Sequence, residues 1–213
     1  MTDASEQHGD PVPDPVARGH SMLRRDHRGT LQFDEHFVPI KYVIDPETGR
    51  LVAPVMVAML TAAETILFVP EEDENALQML VSLEAIDENH AMVDRWRIFH
   101  GEPEDVRWAE IWIDMAKLQG MVVDGDALME GNPLAEAEPR LCKLLNEDID
   151  ALRAMTAHRG GMEIESPKCV GVDQQGVLVR AKFDIVRVWF DTIAESEAEA
   201  RELIEQLIAE AKG

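Results

Sequence analysis

The stretch that decides the fold is Cys169-Val170-Gly171-Val172-Asp173-Gln174-Gln175-Gly176-Val177-Leu178-Val179-Arg180. Its two apolar runs flank an Asp and a Gly, residues that tight turns favour, so the stretch predicts a β-hairpin. A strand over residues 183–190 and an amphipathic helix over residues 196–211 follow it. A helix over residues 139–160 precedes it. This order predicts a small α/β domain over residues 134–213.

The residues before this domain predict a strand-rich domain over residues 31–133. Its first hairpin joins strands over residues 37–44 and 51–57 through the turn Asp45-Pro46-Glu47-Thr48-Gly49. Further strands are predicted over residues 65–69 and 92–99, and helices over residues 75–86 and 103–118. The second of these helices rests on five apolar residues at helical spacing, namely Trp108, Ile111, Trp112, Met115 and Leu118.

The chain begins with a polar segment that is rich in proline. Residues 1–30 include Pro11, Pro13 and Pro15 among acidic and polar residues, and they predict a flexible tail. The segment has neither the basic start nor the apolar centre of a signal peptide. Since the longest apolar stretch, over residues 52–69, is interrupted by Pro54 and Glu64, it does not predict a membrane span. We therefore expect a cytoplasmic protein.

The charge balance limits the partners. The chain of 213 residues has 42 acidic and 20 basic residues, which gives a formal net charge of -22. This excess repels phosphate backbones and anionic membrane surfaces, so we expect neither a nucleic acid nor a membrane as partner. A small anionic ligand is still compatible with it where a few basic groups converge. The two cysteines, Cys142 and Cys169, occupy core-like positions and show no sign of activation.

Three motifs in the C-terminal part carry a resemblance to a family. They are Asn146-Glu147-Asp148 in the first helix, Val170-Gly171-Val172-Asp173-x-x-Gly176 in the hairpin, and Arg187-Val188-x-Phe190 in the next strand. In this order, and with a closing amphipathic helix, they resemble the C-terminal domain of HugZ-type haem-utilisation proteins. The resemblance covers residues 138–207. Over residues 31–120 it rests on the strand order and the segment Arg95–Gly101.

The resemblance implies a fold, a cofactor and an assembly. The fold would be α+β, a split β-barrel of the pyridoxamine-phosphate-oxidase, FMN-binding class followed by a small α/β domain. The cofactor would be haem or FMN, and the assembly a homodimer. Three positions depart from the family's helix motif, because Leu144 and Ile149 stand where it has histidines and Leu145 where it has methionine. No histidine follows His158, and the barrel segment that packs a flavin ring is not recognisable.

The candidate cofactor-binding residues are Arg95, Arg97 and His100. On the predicted strand Arg95 and Arg97 share one face, where two guanidinium groups suit a phosphate or a propionate. The alternative is an exposed or interface strand face on which they pair with some of the many acids. His100 ends the strand and is the best remaining axial ligand or acid/base, although a histidine at a strand end is more often a surface or capping group.

Two functions remain open at this point. The first is a haem- or flavin-binding split-barrel protein that acts in oxidative haem breakdown, with Arg95, Arg97 and His100 around the cofactor. The second is a non-catalytic dimeric binding or regulatory module that has lost the cofactor ligands. Trp108 and Trp112 would stack on a planar cofactor in the first case, whereas an aromatic stripe at helical spacing is usually core.

Overall fold

The computed structural model describes residues 14–104, 106–182 and 184–212, and these form an α+β structure with two antiparallel sheets. We call residues 14–133 the barrel lobe and residues 134–212 the small lobe. The described residues include six α-helices: α1 (Pro15–Asp26), α2 (Val57–Thr61), α3 (Ala91–His100), α4 (Glu138–Glu147), α5 (Ile149–Gly160) and α6 (Glu197–Lys212).

The barrel lobe is built on an antiparallel sheet of eight described strands. They are β1 (Arg28–Phe33), β2 (His36–Lys41), β3 (Val43–Ile44), β4 (Leu51–Val55), β5 (Thr65–Val69), β6 (Leu77–Ile86), β7 (Arg107–Leu118) and β8 (Met121–Asp124). Their order is β2-β1-β5-β6-β7-β4-β3, and β8 pairs with the second half of β7 beside β4.

The chain connectivity forces this sheet to curl. The strands at the two ends of the order, β2 and β3, are separated along the chain by Tyr42 alone. Because consecutive Cα atoms are only about 3.8 Å apart, β2 and β3 must lie near each other although they are the two edge strands of the sheet. The sheet therefore curls into a half-barrel. Tyr42 is fully buried at this closure, and its hydroxyl donates to the carbonyl of Leu23 at 2.8 Å. The barrel interior holds the buried apolar side chains of β1 and β4–β7.

The prediction of a flexible tail over residues 1–30 is wrong for residues 14–30, which include α1 and the beginning of β1. Asp14 caps α1 by accepting a hydrogen bond from the Val16 N–H at 3.1 Å, and Pro15 occupies the first turn, where a missing N–H costs nothing. Leu23 then packs into the barrel core. Residues 1–13 lie outside the described residues.

Three other segments differ from their predictions, because short amphipathic stretches fit both periods. Residues 77–86 and 107–118 are the strands β6 and β7, which pair with each other, and their buried side chains alternate along each strand. Residues 91–100 form the helix α3 and not a strand. Its buried residues Met92, Val93, Trp96 and Phe99 are three or four positions apart or adjacent, and this spacing places them on one side of a helix.

The small lobe follows the predicted order. The strands β9 (Lys168–Asp173), β10 (Gly176–Arg180) and β11 (Ile185–Trp189) form a sheet in the order β11-β10-β9. The predicted helix over residues 139–160 is divided into α4 and α5 at Asp148, whose side chain accepts from the Ala151 N–H at 3.0 Å and so caps α5. Side chains of α4, α5, α6 and one face of the sheet form the core of this lobe.

Helix α3 lies between the two lobes. Its apolar side chains pack against Val43, Val52 and Trp108 of the barrel lobe and against Val170, Leu178 and Ile185 of the small lobe. We call this group the junction cluster. It covers the second face of the small sheet, so that neither face of that sheet is left to solvent as a whole. The end of α3 consequently lies where the lobes meet.

Candidate functional site

Arg95 forms a buried ion pair with Glu138. Its two terminal nitrogens donate to the two carboxylate oxygens of Glu138 at 2.8 and 2.9 Å. The side chain of Glu138 is only 6% exposed and also accepts from the Val172 N–H at 3.2 Å. The pair therefore ties α3 to the beginning of α4 and to β9. This geometry satisfies a buried carboxylate and leaves little of the guanidinium for an anionic ligand.

Arg97 points to a different place. On a helix, residues two positions apart diverge by about 200°, so Arg95 and Arg97 do not share a face, and that expectation is wrong. The guanidinium of Arg97 contacts three exposed carboxylates, those of Glu88 at 2.7 Å, Glu102 at 3.1 Å and Asp94 at 3.2 Å. These contacts agree with the alternative hypothesis from the sequence, in which both arginines pair with acidic side chains. A role for either residue in binding a cofactor stays a prediction.

His100 is the last residue of α3, and Gly101 ends the helix with a φ of 91°. Its ring Nε2 lies 3.1 Å from the carbonyl oxygen of Tyr42. Since a carbonyl only accepts, Nε2 carries the proton, and Nδ1 is then the unprotonated nitrogen. Burial lowers the pKa of His100 to about 4, against the opposing effect of the Tyr42 hydrogen bond. The imidazole is therefore neutral near pH 7.

A cavity of about 670 Å³ opens beside His100, at the junction of the lobes. We call it the junction cavity. Its charged lining residues are Lys41 at the end of β2, Arg180 at the end of β10, Lys182 after that strand, and the acids Glu165 and Asp184. Arg180 crosses between the lobes, because its guanidinium donates to the carbonyl of Ile98 at 2.6 Å. The basic lining residues outnumber the acidic ones in a chain whose overall charge is -22.

A second polar group is fully buried and is structural. Arg187 of β11 makes a bidentate ion pair with Asp173 at 2.6 and 2.8 Å, and its Nε donates to the Arg24 carbonyl at 2.8 Å. Burial alone would raise the pKa of Asp173, but the positive charge of Arg187 holds it below its ordinary value. The hydrogen bond to the Arg24 carbonyl joins the small sheet to α1. In the sequence, the signal for this ion pair is the position of Arg187 between two valines in a strand whose residues are otherwise apolar.

His27 lies fully buried beside that group. Its ring packs 5.5 Å from the ring of Phe99, centroid to centroid, and neither ring nitrogen has a hydrogen-bond partner among the described residues. Burial, followed by the positive charge of Arg187, lowers the pKa of His27 to about 3. The residue is consequently a neutral core group near pH 7, and sequence reasoning did not identify it.

The motif residues of the small lobe serve its shape. Asn146 accepts from the N–H of Cys169 and donates to its carbonyl, both at 2.9 Å, so its amide holds α4 against β9. Leu144 and Ile149, which stand at the histidine positions of the family motif, are both exposed. Neither lines the junction cavity. Of the retained polar residues, Asn146 holds α4 against β9 and Asp148 caps α5, whereas Glu147 is exposed.

The tryptophans predicted for a helix lie on β7. Trp108 is buried against Trp96, with ring centroids 5.4 Å apart in an edge-on arrangement, while the guanidinium of Arg50 covers the ring of Trp112 at 3.4 Å. Neither indole lines the junction cavity. Among the described residues, no group of three or more His, Cys, Asp or Glu side chains is placed to hold a metal ion. No described helix is long and apolar enough to cross a membrane.

Comparison with known proteins shows the fold alone. No family model matches the chain, and no curated protein matches it. The crystal structure of a protein of unknown function from Agrobacterium tumefaciens superposes with a TM-score of 0.72 at 15% identity, over 94% of this chain and 98% of that one. A heme-binding protein from Mycobacterium smegmatis gives a TM-score of 0.46 at 16% identity, over 95% and 99% of the two chains. The first likeness shows a shared fold, whereas the second is too low to bear on fold or ligand.

Proposed function

We propose that this protein binds a planar anionic cofactor, haem or FMN, in the junction cavity. The observation that supports the proposal best is the position of His100 in the wall of that cavity. Its Nε2–H donates to a backbone carbonyl, and its Nδ1 makes no hydrogen bond with the described residues. A ring held through one nitrogen by a carbonyl is the arrangement that orients a ligating histidine.

The size and charge of the cavity suit such a ligand. A volume of about 670 Å³ lies within the range of roughly 300–1,000 Å³ that cofactor sites occupy. Arg180, Lys41 and Lys182 lie in its wall and would neutralise the propionates of haem or the phosphate of FMN. In this proposal Arg180 and the two lysines take the role that the sequence suggested for Arg95 and Arg97.

The finer assignment follows from the resemblance and is part of the same proposal. The half-barrel would be a split barrel of the pyridoxamine-phosphate-oxidase class, and the chain a divergent relative of HugZ-type proteins that assembles as a homodimer. Bound haem would supply the oxygen chemistry of haem breakdown. The residues of this chain would orient it, balance its charge and limit access of water.

Absorption spectroscopy tests the proposal directly. We expect haemin to give a shifted Soret band, or FMN a quenched fluorescence, when titrated into the purified protein. His100→Ala should abolish the Soret shift, whereas the matched control His158→Ala, at an exposed histidine of α5, should leave it unchanged. Arg180→Gln should lower the affinity for either ligand by roughly tenfold, since a charge-assisted hydrogen bond to the ligand is lost. Unchanged spectra with both ligands would overturn the proposal.

A second candidate function is a non-catalytic binding or regulatory module. It is favoured by the pairing of Arg95 and Arg97 with carboxylates and by the exposed Leu144 and Ile149 at the expected histidine positions. If haem binds, the addition of a reductant and oxygen to the complex distinguishes the two functions. Loss of the Soret band would indicate haem degradation, and a persistent band would indicate binding only. A sizing measurement tests the dimer in either case, against a chain mass of 23.9 kDa.

A further inference from the structure

The two cysteines of the chain lie side by side in the small lobe, away from the junction cavity. Cys142 is on α4 and Cys169 on β9, and their sulfur atoms are 3.5 Å apart. A disulfide needs a separation of about 2.05 Å, so the sulfurs must approach by roughly 1.5 Å. Side-chain rotation with a small shift of the half-buried Cys142 supplies a movement of this size.

The backbone around this thiol pair is held in place. Asn146 lies one helical turn after Cys142, on the same face of α4, and its amide makes two hydrogen bonds to the backbone of Cys169. The same residue that fixes the helix against the strand therefore fixes the distance between the thiols. Chance proximity in a mobile segment does not account for this arrangement.

The two thiols differ in access to solvent. Cys169 is 2% exposed, whereas Cys142 is intermediate in exposure. Burial, together with the hydrogen bond to Cys142, raises the pKa of Cys169. Because thiolate character and exposure govern oxidation, Cys142 is the sulfur that an oxidant meets first, and Cys169 is placed to resolve the product.

We propose that Cys142 and Cys169 form a reversible intramolecular disulfide, with hydrogen peroxide as the oxidant. The thiol of Cys142 loses its proton, and the thiolate attacks one peroxide oxygen. The O–O bond breaks, the leaving hydroxide takes up that proton to give water, and a sulfenic acid is left on Cys142. The sulfur of Cys169 then attacks the Cys142 sulfur, the S–S bond forms, and the S–O bond breaks with loss of a second water. In sum, two thiols are oxidised and one peroxide is reduced to two waters.

The disulfide would add a covalent tie between α4 and β9, where the Asn146 amide already connects them. A thiol reductant reverses the reaction by attack on the Cys142 sulfur, the more accessible of the two. The proposal does not depend on a bound cofactor, since the pair lies in the core of the small lobe and outside the wall of the junction cavity.

Mass spectrometry of peroxide-treated protein tests the proposal. We expect the intact mass to fall by two hydrogen atoms, both thiols to become unreactive towards a thiol reagent in denaturant, and dithiothreitol to restore them. Trypsin should release residues 141–143 linked to residues 169–180, because Arg140, Lys143, Lys168 and Arg180 provide the cleavage sites. A disulfide between two molecules, a sulfinic acid on Cys142 with Cys169 reduced, or two unmodified thiols would each overturn the proposal.

Serine variants assign the two steps. In Cys169→Ser we expect the reaction to stop at a sulfenic acid on Cys142 that dimedone traps. In Cys142→Ser we expect Cys169 to stay a thiol under the same treatment, since it is buried. The opposite pattern of trapping would contradict the assigned order. If a variant does not fold, the linked peptide from the unmodified chain still decides the proposal.

Discussion

At the scale of single residues, the carboxylate of Glu138 connects three elements by accepting from Arg95 and from the Val172 N–H. Replacement by alanine leaves the guanidinium of Arg95, 19% exposed, without its partner in the junction. We expect Glu138→Ala to lower the free energy of unfolding by about 3 kcal/mol, the cost of breaking a buried ion pair. Urea denaturation measures this change.

The control is Glu197, whose carboxylate pairs on the surface with Arg140 at 2.6 Å and with Arg201 at 2.9 Å. Solvent and salt screen such pairs, so Glu197→Ala should lower the urea midpoint of the protein much less than Glu138→Ala. Equal losses in Glu138→Ala and Glu197→Ala would contradict the role assigned to burial.

His27 makes stability depend on pH. Its pKa is about 3 in the folded protein, where burial disfavours the charge, and near 6.5 in the unfolded chain. The unfolded state therefore binds the proton first, so stability is lost as the pH falls below about 6.5 and levels off below about 3. Between pH 7 and pH 5 this single group should cost about 2 kcal/mol of unfolding free energy.

The variant His27→Asn tests this, since Asn tolerates the left-handed conformation that His27 adopts at a φ of 49°. Its absolute stability will fall, because a buried ring is lost. The relevant quantity is the difference between the unfolding free energies at pH 7 and pH 5, which should be smaller in the variant by about 2 kcal/mol. An unchanged difference would show that His27 does not titrate as assigned.

At the scale of elements, two turns of the barrel lobe need glycine for different reasons, one for its backbone conformation alone and the other also for lack of space. Gly49 between β3 and β4 and Gly120 between β7 and β8 both have positive φ, at 74° and 83°. A Cβ at Gly120 would meet nothing within 4 Å, whereas one at Gly49 would overlap the backbone of Met129 and Glu130. The hairpin turn is therefore pressed against the segment that leads out of the barrel lobe.

Alanine at the two positions should have unequal effects. Gly120→Ala costs only the strain of left-handed backbone, about 1–2 kcal/mol. Gly49→Ala adds an overlap with backbone, so we expect a total loss of about 3 kcal/mol or more in urea denaturation. Losses of the same size at both positions would contradict the close packing of the hairpin turn.

At the scale of the whole molecule, the junction cluster makes the lobes depend on each other. Trp96 and Phe99 of α3 are buried between β4, β7 and the small sheet, so separation of the lobes would expose both faces. The buried ion pair Arg95–Glu138 crosses the same boundary, as does the hydrogen bond from the Arg187 Nε to the Arg24 carbonyl. We therefore expect the lobes to unfold in one transition.

Two optical probes check this expectation. Tryptophan fluorescence reports chiefly on Trp96, Trp108 and Trp112 of the barrel lobe, and far-ultraviolet circular dichroism reports on the helices, whose residues lie mostly in the small lobe. Their urea transitions should coincide. Two separate midpoints would indicate that residues 134–212 unfold independently of the barrel lobe.

The sequence by itself determined the hairpin turns and the order of the strands and the last helix of the small lobe. The strands β9–β11 pair with neighbours in the chain, and the residues of the turn between β9 and β10, Asp173 and Gly176, restrict the backbone locally. The same holds for the turn that ends at Gly49. Local turn chemistry and a clear apolar period were sufficient there, because the deciding interactions lie within a few residues.

Only the tertiary structure decided the central part of the barrel lobe and the site. Residues 77–86, 91–100 and 107–118 are amphipathic at both periods, and the pairing of β6 with β7 and the position of α3 between two sheets select one. Arg95 meets Glu138 across 43 residues, and Cys142 meets Cys169 across 27. A sequence pattern shows which face of an element is buried but not what covers it, so these partners depend on the fold.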